Sequence, residues 1–250
     1  MKKTLLLLSA ITTFSMADMI LGGEINVGFY GHSPKGTISF DGNDIDVVDT
    51  LKWENSSDVF ASLYFEHPIP IIPNIKLSTS TLAHDGEGGI DKSFNFAGRE
   101  FGSGINIITG IDLKMTDATL YYEFLDNWIS IDAGVTAKYI EGSVYINSKK
   151  TRITESIEEN TEFTGVIPLV YSKLRFEIPT TDIALQVEAN YIAYEDNLLY
   201  DIEAGIRYTV MFGLGAEVGY KQIKLKIDDI EGFSMDSDFS GLYGKLVWDF

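Results

Sequence analysis

The final segment of the chain alternates between two kinds of side chain and ends on an aromatic ring. One face consists of Leu242, Gly244, Leu246, Trp248 and Phe250, and the other of Tyr243, Lys245, Val247 and Asp249. Because successive side chains of a β-strand point to opposite sides, this pattern predicts a strand with one apolar face. A terminal strand of this kind is typical of a transmembrane β-barrel, where one face contacts lipid and the other lines the lumen.

The same alternation recurs along the chain and predicts about ten strands, with eight as the alternative. The expected strands are 19–29, 58–66, 74–83, 111–125, 128–146, 162–178, 182–194, 199–210, one that begins at 213, and the terminal strand. The alternation changes phase near Ile140, which indicates either a β-bulge or the point where that strand leaves the membrane. The predicted fold class is all-β: a transmembrane antiparallel up-and-down β-barrel in one domain, residues 18–250.

Connection lengths and aromatic positions agree with this fold. Short connections at 67–73, 126–127, 179–181 and 211–213 alternate with long ones at 30–57, 84–110, 147–161 and 228–237, apart from a tight turn at 195–198. Outward aromatic side chains fall into two belts, near the short turns and at the opposite strand ends. The strand length between the belts predicts a separation of roughly 20–25 Å, the height of an apolar membrane band. A soluble β-sandwich would have no reason to place aromatic residues in two belts.

The amino-terminal residues have the pattern of a secretory signal peptide. Lys2 and Lys3 precede an apolar run, and Ser15 and Ala17 supply small residues for cleavage, which predicts a leader at residues 1–17. The run is shorter than the roughly 20 residues that a membrane-spanning helix needs. The chain has no cysteine, so it offers neither a lipoprotein attachment site nor a disulfide. Removal of the leader takes the formal charge from −18 to −20, a balance that argues against a nucleic-acid partner.

Strand parity places many charged side chains inside the predicted barrel. The lumen candidates are Glu24, Glu66, Lys76, Glu123, Asp132, Lys138, Lys173, Arg175, Glu177, Glu188, Asp201, Glu203, Arg207, Glu217, Lys221 and Lys245. Side chains nearly fill a barrel of eight to ten strands, and buried charges are costly unless they pair. A packed ionic lumen is therefore expected, with a narrow conduit for small polar or cationic solutes as the alternative, which the excess of inward acids favours.

The long connections are acidic, and closely spaced carboxylates can bind divalent cations. The acids are Asp41, Asp44, Asp46 and Asp49 in the first long connection, and Asp228, Asp229, Glu231, Asp236 and Asp238 in the last. The ligand order of a helix-loop-helix calcium site is missing. Solvated loops are the expected outcome, and cations that bridge them to lipopolysaccharide are the alternative.

Catalysis has little support in the sequence. The only histidines are His32, His67 and His84, and His84-Asp85 is the one adjacent pair of interest. A hydrolytic barrel would need a serine or aspartate placed beside a histidine, which spacing alone does not establish. The prediction is a protein without enzymatic activity and without a cofactor.

Three features together carry a resemblance to a known group of proteins: Gly22-Gly23, the proline-rich run 66–74 and the terminal Phe250. On these the chain resembles a family of small, uncharacterised bacterial outer-membrane proteins that is marked by a Gly-Gly pair near the mature amino terminus. The resemblance covers the whole chain and implies an outer-membrane β-barrel. It supplies neither an activity nor functional residues.

The proline-rich run also has a physical interpretation. Pro68, Pro70 and Pro73 remove backbone donors, so the run predicts a rigid strand connector, or else a plug at the lumen mouth. The expectation as a whole is a monomer in the outer membrane of a Gram-negative bacterium, surrounded by lipid and lipopolysaccharide. Leu246, Trp248 and Phe250 form the expected insertion signal for the barrel-assembly machinery. Its role is expected to be structural or surface-interacting, with a channel as the alternative and a hydrolase as the less favoured one.

Overall fold

The computed structural model describes residues 21–40, 42–96, 98–148, 156–230 and 233–250, with the backbone alone at 229 and 230. The predicted leader at 1–17 lies outside the described residues. Ten long strands form the barrel: β1 (Gly22–Phe40), β3 (Ser56–Glu66), β4 (Asn74–Ile90), β7 (Ile105–Asp126), β8 (Ile129–Ser148), β9 (Ile157–Glu177), β10 (Ile183–Tyr194), β11 (Asn197–Thr209), β12 (Leu214–Ile230) and β13 (Phe233–Asp249). Three short strands are additional: β2 (Asn43–Asp46), β5 (Phe94–Phe96) and β6 (Arg99–Phe101).

Each barrel strand pairs antiparallel with its neighbours in the chain, and β13 pairs with β1 to close the sheet. The predicted antiparallel barrel of ten strands is therefore confirmed. Closure brings the two ends of the chain together, because Phe250 and Gly23 exchange backbone hydrogen bonds of 2.9 Å in both directions. Within the described residues, no helix is long and apolar enough to cross a membrane.

Several strands extend well beyond their predicted ends. Strand β1 continues to Phe40 and β4 to Ile90, and β7 begins at Ile105, so much of the predicted long connections is sheet. The predicted boundaries failed there because the lipid-facing pattern ends at the membrane surface while backbone pairing continues beyond it. Strands β10 and β11 are not extended in this way, because a tight turn between Tyr194 and Asn197 joins them close to their predicted ends.

The two faces of the wall exchange chemical character at the outer edge of the apolar band, and β8 shows this most clearly. Below the exchange, Asp132 and Lys138 are buried inside and Val135 is exposed outside. Above it, Ile140 and Val144 are buried inside and Glu141 is exposed outside. The pairing of β8 with β9 runs without a register shift through this point. The predicted phase change is thus the exit of the strand from the membrane, and the bulge interpretation is wrong.

An apolar core fills the outer half of the barrel. Buried side chains of β4, β7, β8, β12 and β13 pack there with the cap segment, residues 47–55, which follows β2. Val47, Leu51 and Trp53 of the cap segment are buried in this core. The β5–β6 hairpin adds aromatic rings, and Phe94 stacks on Phe40 at 4.9 Å.

The proline-rich run lies against the outside of the wall. The hydroxyl of Tyr122, an outward-facing residue of β7, donates to the carbonyl of Ile71 at 2.9 Å. Ile69, Ile71 and Ile72 are exposed. This placement fits the predicted connector at the lipid boundary. The plug interpretation fails because the Tyr122 bond holds the run away from the lumen mouth.

Candidate functional site

The predicted lumen residues fall into three groups by position. Ten of them are buried inside the barrel: Glu24, Lys76, Asp132, Lys138, Lys173, Glu188, Arg207, Glu217, Lys221 and Lys245. Partly buried positions are held by Glu66, Glu123, Arg175, Asp201 and Glu203. Glu177 is exposed at the end of β9, where it meets Arg175 at 3.2 Å, so it lies at the rim.

Arg207 organises the end of the lumen where β1 begins and β13 ends. Its terminal nitrogens donate to both carboxylate oxygens of Glu24 at 2.7 and 3.0 Å, and its Nε donates to Glu217 at 3.0 Å. Asp249 lies 3.7 Å away. The guanidinium has no exposed surface, so its charge is balanced by carboxylates from β1, β12 and β13. A planar fork that meets a carboxylate in two bonds also fixes orientation.

Two lysines form the next layer of the lumen. Lys221 bridges Asp201 and Glu203, each at 2.7 Å, and Lys245 contacts Glu217 at 3.0 Å and Glu203 at 3.3 Å. Because Glu203 and Glu217 each serve two cations, this layer is continuous with the Arg207 cluster. These contacts link β11, β12 and β13 inside the wall.

Glu188 is the centre of a third cluster, which is rich in tyrosine. It pairs with Lys76 and accepts a hydrogen bond from the Tyr64 hydroxyl at 2.6 Å. Lys173 lies over the Tyr64 ring, 4.4 Å from its centroid. Tyr121 donates to Glu66 at 2.9 Å. The tyrosine rings fill the width of the lumen, and their hydroxyls satisfy the buried carboxylates.

Several lumen residues were not among the sequence candidates. Asp117 pairs with Lys138 at 2.7 Å, Asn26 donates to Glu24 at 2.6 Å, and Tyr243 donates to Glu217 at 2.5 Å. Asp117 shares the parity of Glu123 on β7, which is the signal that could have identified it. Asn26 and Tyr243 occupy polar-face positions, but neither residue is charged.

A cavity lies among the ion pairs and reaches Phe60, which packs against the apolar core. It holds about 40 Å³ for water-sized molecules and is lined by hydroxyl, amide and charged side chains, among them Ser62, Ser78, Ser80, Asn190 and Lys221. A few water molecules would fit this volume. The cavity is therefore a small polar chamber beneath the outer core.

A chain of hydrogen bonds joins the cap segment to the wall just above the apolar band. Asp58 of β3 meets His32 Nε2 at 3.0 Å, and His32 Nδ1 lies 2.8 Å from His84 Nε2. His84 Nδ1 donates to the backbone carbonyl of Glu54 at 2.8 Å. Asp58 also accepts from Thr81 and from the backbone of Ala83. The four linked groups of Asp58, His32, His84 and Glu54 form a histidine chain.

Aromatic rings enclose the histidine chain. The rings of Trp53 and Phe239 both stack on the His84 ring, with interplanar angles of 2° and 19°. The ring centroid of Tyr30 lies 4.5 Å from that of His32. Burial lowers the pKa of His84 to about 4, although the Glu54 carbonyl opposes this effect. Burial also lowers the pKa of His32, although the Asp58 carboxylate opposes it. His84 is consequently neutral at pH 7, and its Nε2 can accept a hydrogen bond from His32 Nδ1.

The side chains of His84 and Asp85 do not form a pair. His84 points inward and is buried, whereas Asp85 points outward and is exposed. Ser78 and Ser80 share the inward parity of His84 but line the cavity farther along β4. The fold thus separates the residues that the sequence places side by side.

The acidic connections do not converge on a metal site in the part of the chain that the structure describes, where no group of three or more His, Asp or Glu side chains is close enough to hold an ion. Asp46 instead accepts from the backbone of Val48 and Asp49, which shapes a turn. Asp236 and Asp238 lie on β13 and pair with Lys224. Asp41 and Glu231 lie outside the described residues.

Leu246, Trp248 and Phe250 all face outward and are exposed. The Phe250 ring lies over Gly23, where a Cβ atom would collide with it. The Gly-Gly pair and the terminal aromatic residue, two of the features that carried the family resemblance, therefore meet at the closing seam.

Known proteins share this architecture without sharing the sequence. The outer membrane protease OmpT from Escherichia coli superposes with a TM-score of 0.60 at 10% identity, over 94% of this chain and 99% of that chain. The chain has the fold of an outer-membrane β-barrel. The translocator domain of autotransporter NalP from Neisseria meningitidis gives a TM-score of 0.43 at 12% identity, over 100% and 95% of the two chains. The attachment invasion locus protein Ail from Yersinia pestis gives 0.36 at 9%, over 93% and 100%.

No protein-family model matches the chain, and neither does any curated protein. The resemblance to the Gly-Gly family is thus not confirmed, while the outer-membrane barrel that it implied is. At these identities the structural likeness speaks for the fold alone.

Proposed function

We propose that this protein is a closed outer-membrane β-barrel of Gram-negative bacteria with a structural or surface-interacting role. The apolar core in the outer half carries the proposal, because charged solutes cross an apolar layer at high cost. Ion pairs in the inner half add support, since the buried cations Arg207, Lys221 and Lys245 each contact at least two carboxylates.

The exterior of the barrel indicates which molecules would contact it. Lipid covers the apolar band, and the barrel-assembly machinery inserts the monomer through the strand that ends in Leu246, Trp248 and Phe250. Secretion through the predicted leader at 1–17 and membership of the Gly-Gly family belong to the same proposal.

The surface contacts would be made by the outward face above the apolar band. This face carries carboxylates of Asp112, Glu141, Glu158, Glu162 and Asp236, and some of them pair with lysine, as Glu141 does with Lys114 at 3.6 Å. Divalent cations could join the remaining acids to lipopolysaccharide phosphates. This role requires no enzymatic activity and no cofactor.

The polar cavity favours a second candidate, a narrow channel for small polar or cationic solutes. Its lining includes Asp117, Glu188, Asp201 and Glu203, which would attract cations. A channel would require the outer core to open, whereas the structural role does not. The adjacent pair His84-Asp85 does not support a barrel-embedded hydrolase, because the two side chains face opposite sides of β4.

Conductance of the refolded protein in a planar bilayer tests the proposal. A heat-dependent gel shift first establishes that the inserted protein is folded. We expect no discrete current steps from the wild type. Cation-selective steps that change selectivity in Glu203→Lys would overturn the proposal and support the channel. Adsorption of lipopolysaccharide vesicles with and without Mg²⁺ then tests the acidic outer face, with Glu158→Gln and Glu162→Gln as the variants.

A further inference from the structure

The number of protons on the two histidines decides whether every contact of the histidine chain can be a hydrogen bond. Three short contacts connect Asp58, His32, His84 and the Glu54 carbonyl. Two neutral imidazoles bring two N–H protons to these contacts, and one added proton supplies a donor for each. When both rings are doubly protonated, four protons meet three contacts. Asp58 and the Glu54 carbonyl accept one each, so the other two face each other across the 2.8 Å between His32 and His84.

The surroundings of the two facing N–H groups are mostly aromatic. Both histidines are buried, and the faces of their rings contact Tyr30, Trp53 and Phe239. The neighbouring elements carry opposing charges. The carboxylates of Asp58 on β3 and Asp85 on β4 favour the charged imidazoles, and the ammonium of Lys221 on β12 disfavours a charged His32. Strand β13 contributes the Phe239 ring, and β7 reaches the site through Thr109, which accepts from the Trp53 indole at 2.8 Å.

The cap segment depends on this chain for its attachment. Glu54 is held by its carbonyl to His84 and by its backbone N–H to the Asp85 carbonyl at 3.0 Å. Trp53 rests on the His84 ring, and its backbone N–H donates to Val47 at 2.9 Å. His84 belongs to the barrel wall, so a displacement of its ring away from His32 would withdraw both the Glu54 hydrogen bond and the Trp53 contact.

We propose that the histidine chain is an acid-released latch: when both imidazoles are doubly protonated, the Nε2–H of His84 has no acceptor in the chain, and the His84 ring leaves the position in which it holds Glu54 and Trp53, which frees the cap segment from the barrel wall. The latch concerns the attachment of the cap segment, so it stands or falls independently of whether the barrel conducts.

The direction of the pH dependence follows from linkage. Burial lowers the pKa of both histidines below the ordinary value of 6.5, and that of His84 to about 4. The attached state therefore binds fewer protons than the released state. Its advantage is complete above pH 6.5 and is lost as the pH falls toward 4.

Amide hydrogen exchange of the refolded full barrel in detergent micelles tests the latch. The observed rates are corrected for the intrinsic effect of pH. We expect the protection of the Trp53 and Glu54 amides to fall by up to about two orders of magnitude between pH 6.5 and 4. The Asp249 and Phe250 amides at the closing seam should stay protected, because they bond within the seam.

Variants separate the latch from general acid effects. His32→Gln combined with His84→Gln should abolish the pH step, and His67→Gln, at the proline-rich run, should keep it. Full protection of the wild type down to pH 4 would overturn the proposal, and so would an unchanged step in the double variant. If the double variant does not refold, ¹⁵N-histidine NMR of the wild type decides. Doubly protonated His32 and His84 with fully protected Trp53 and Glu54 amides would then refute the latch.

Discussion

Arg207 on β11 reaches Glu24 on β1 through two parallel hydrogen bonds of 2.7 and 3.0 Å. The two residues lie far apart in the chain, and their strands are separated in the sheet by β12 and β13. The pair is therefore a strut inside the barrel that spans more than one hydrogen-bonded neighbour. Since both groups are buried, neither can exchange its partner for bulk water.

Removal of this strut should be strongly destabilising. Arg207→Ala leaves Glu24 and Glu217 buried without their main cation, and breaking a buried pair in this way typically costs about 3–5 kcal/mol. Urea-induced unfolding in phospholipid vesicles, followed by the heat-dependent gel shift, measures the free energy of unfolding. Lys114→Ala is the control, because the Lys114–Glu141 pair is exposed and should contribute less than about 1 kcal/mol. Equal midpoints for the two variants would contradict a structural role for Arg207.

The cap segment lies flat on β4 because Gly88 leaves room for it. A Cβ atom at Gly88 would collide with the carbonyl of Thr50. We expect Gly88→Val to displace the cap segment and to speed exchange of the Trp53 amide about ten- to hundredfold, which corresponds to typical overpacking costs of about 1–3 kcal/mol. Gly89→Val is the matched control, because its nearest neighbour is a side-chain atom of Asn106 at 3.3 Å. Similar exchange rates in both variants would show that the cap segment does not need this close approach.

The closing seam contains a second requirement for glycine. At Gly23 a Cβ atom would meet the Phe250 ring, whereas at Gly22 the nearest atom is Glu66 Oε2 at 3.5 Å. Gly23→Val should lower the yield of folded barrel in a refolding assay, and Gly22→Val should not. Adding Phe250→Ala to Gly23→Val removes the collision and should restore part of the yield. Failure of the double variant to recover would indicate that Gly23 matters for another reason.

Lipid-facing and water-facing positions of β8 should respond differently to charge. Val135 lies in the apolar band, so Val135→Lys should cost about 2–4 kcal/mol of unfolding free energy in vesicles. Ser143, also outward, lies above the band, and Ser143→Lys should change stability by less than about 0.5 kcal/mol. Equal losses at the two positions would place the membrane boundary higher than Ile140.

Most of the barrel could be predicted from the alternation of apolar and polar residues, because the side that a residue faces depends only on the pleat of its strand. The alternation placed Arg207 and Glu217 inside because both sit among outward aliphatic residues. The outer half was harder to predict, because its strands reverse which face is apolar, and a lipid-facing pattern no longer marks the outside. The pairing of β1 with β2 also lay within a predicted loop.

The histidine chain could not be derived from the sequence at all. His32, Asp58 and His84 lie on three strands, and only the register of those strands brings them together: Tyr30 pairs with Asp58, and His32 with Ser56. The backbone carbonyl of Glu54 completes the chain, and a carbonyl carries no residue-type signal. The sequence indicated His84 and Asp85 instead because they are neighbours in the chain, but their side chains point in opposite directions.

The reversal of faces at Ile140 also fixes the depth at which the protein sits in its membrane. A displacement of two residues along the strands, roughly 6–7 Å, would either push Glu141 into hydrocarbon or lift Tyr139 out of the apolar band. Both movements are unfavourable, so the barrel has one preferred height. The outer half consequently extends a constant distance beyond the apolar band, and its exposed carboxylates are held at a fixed height above that band.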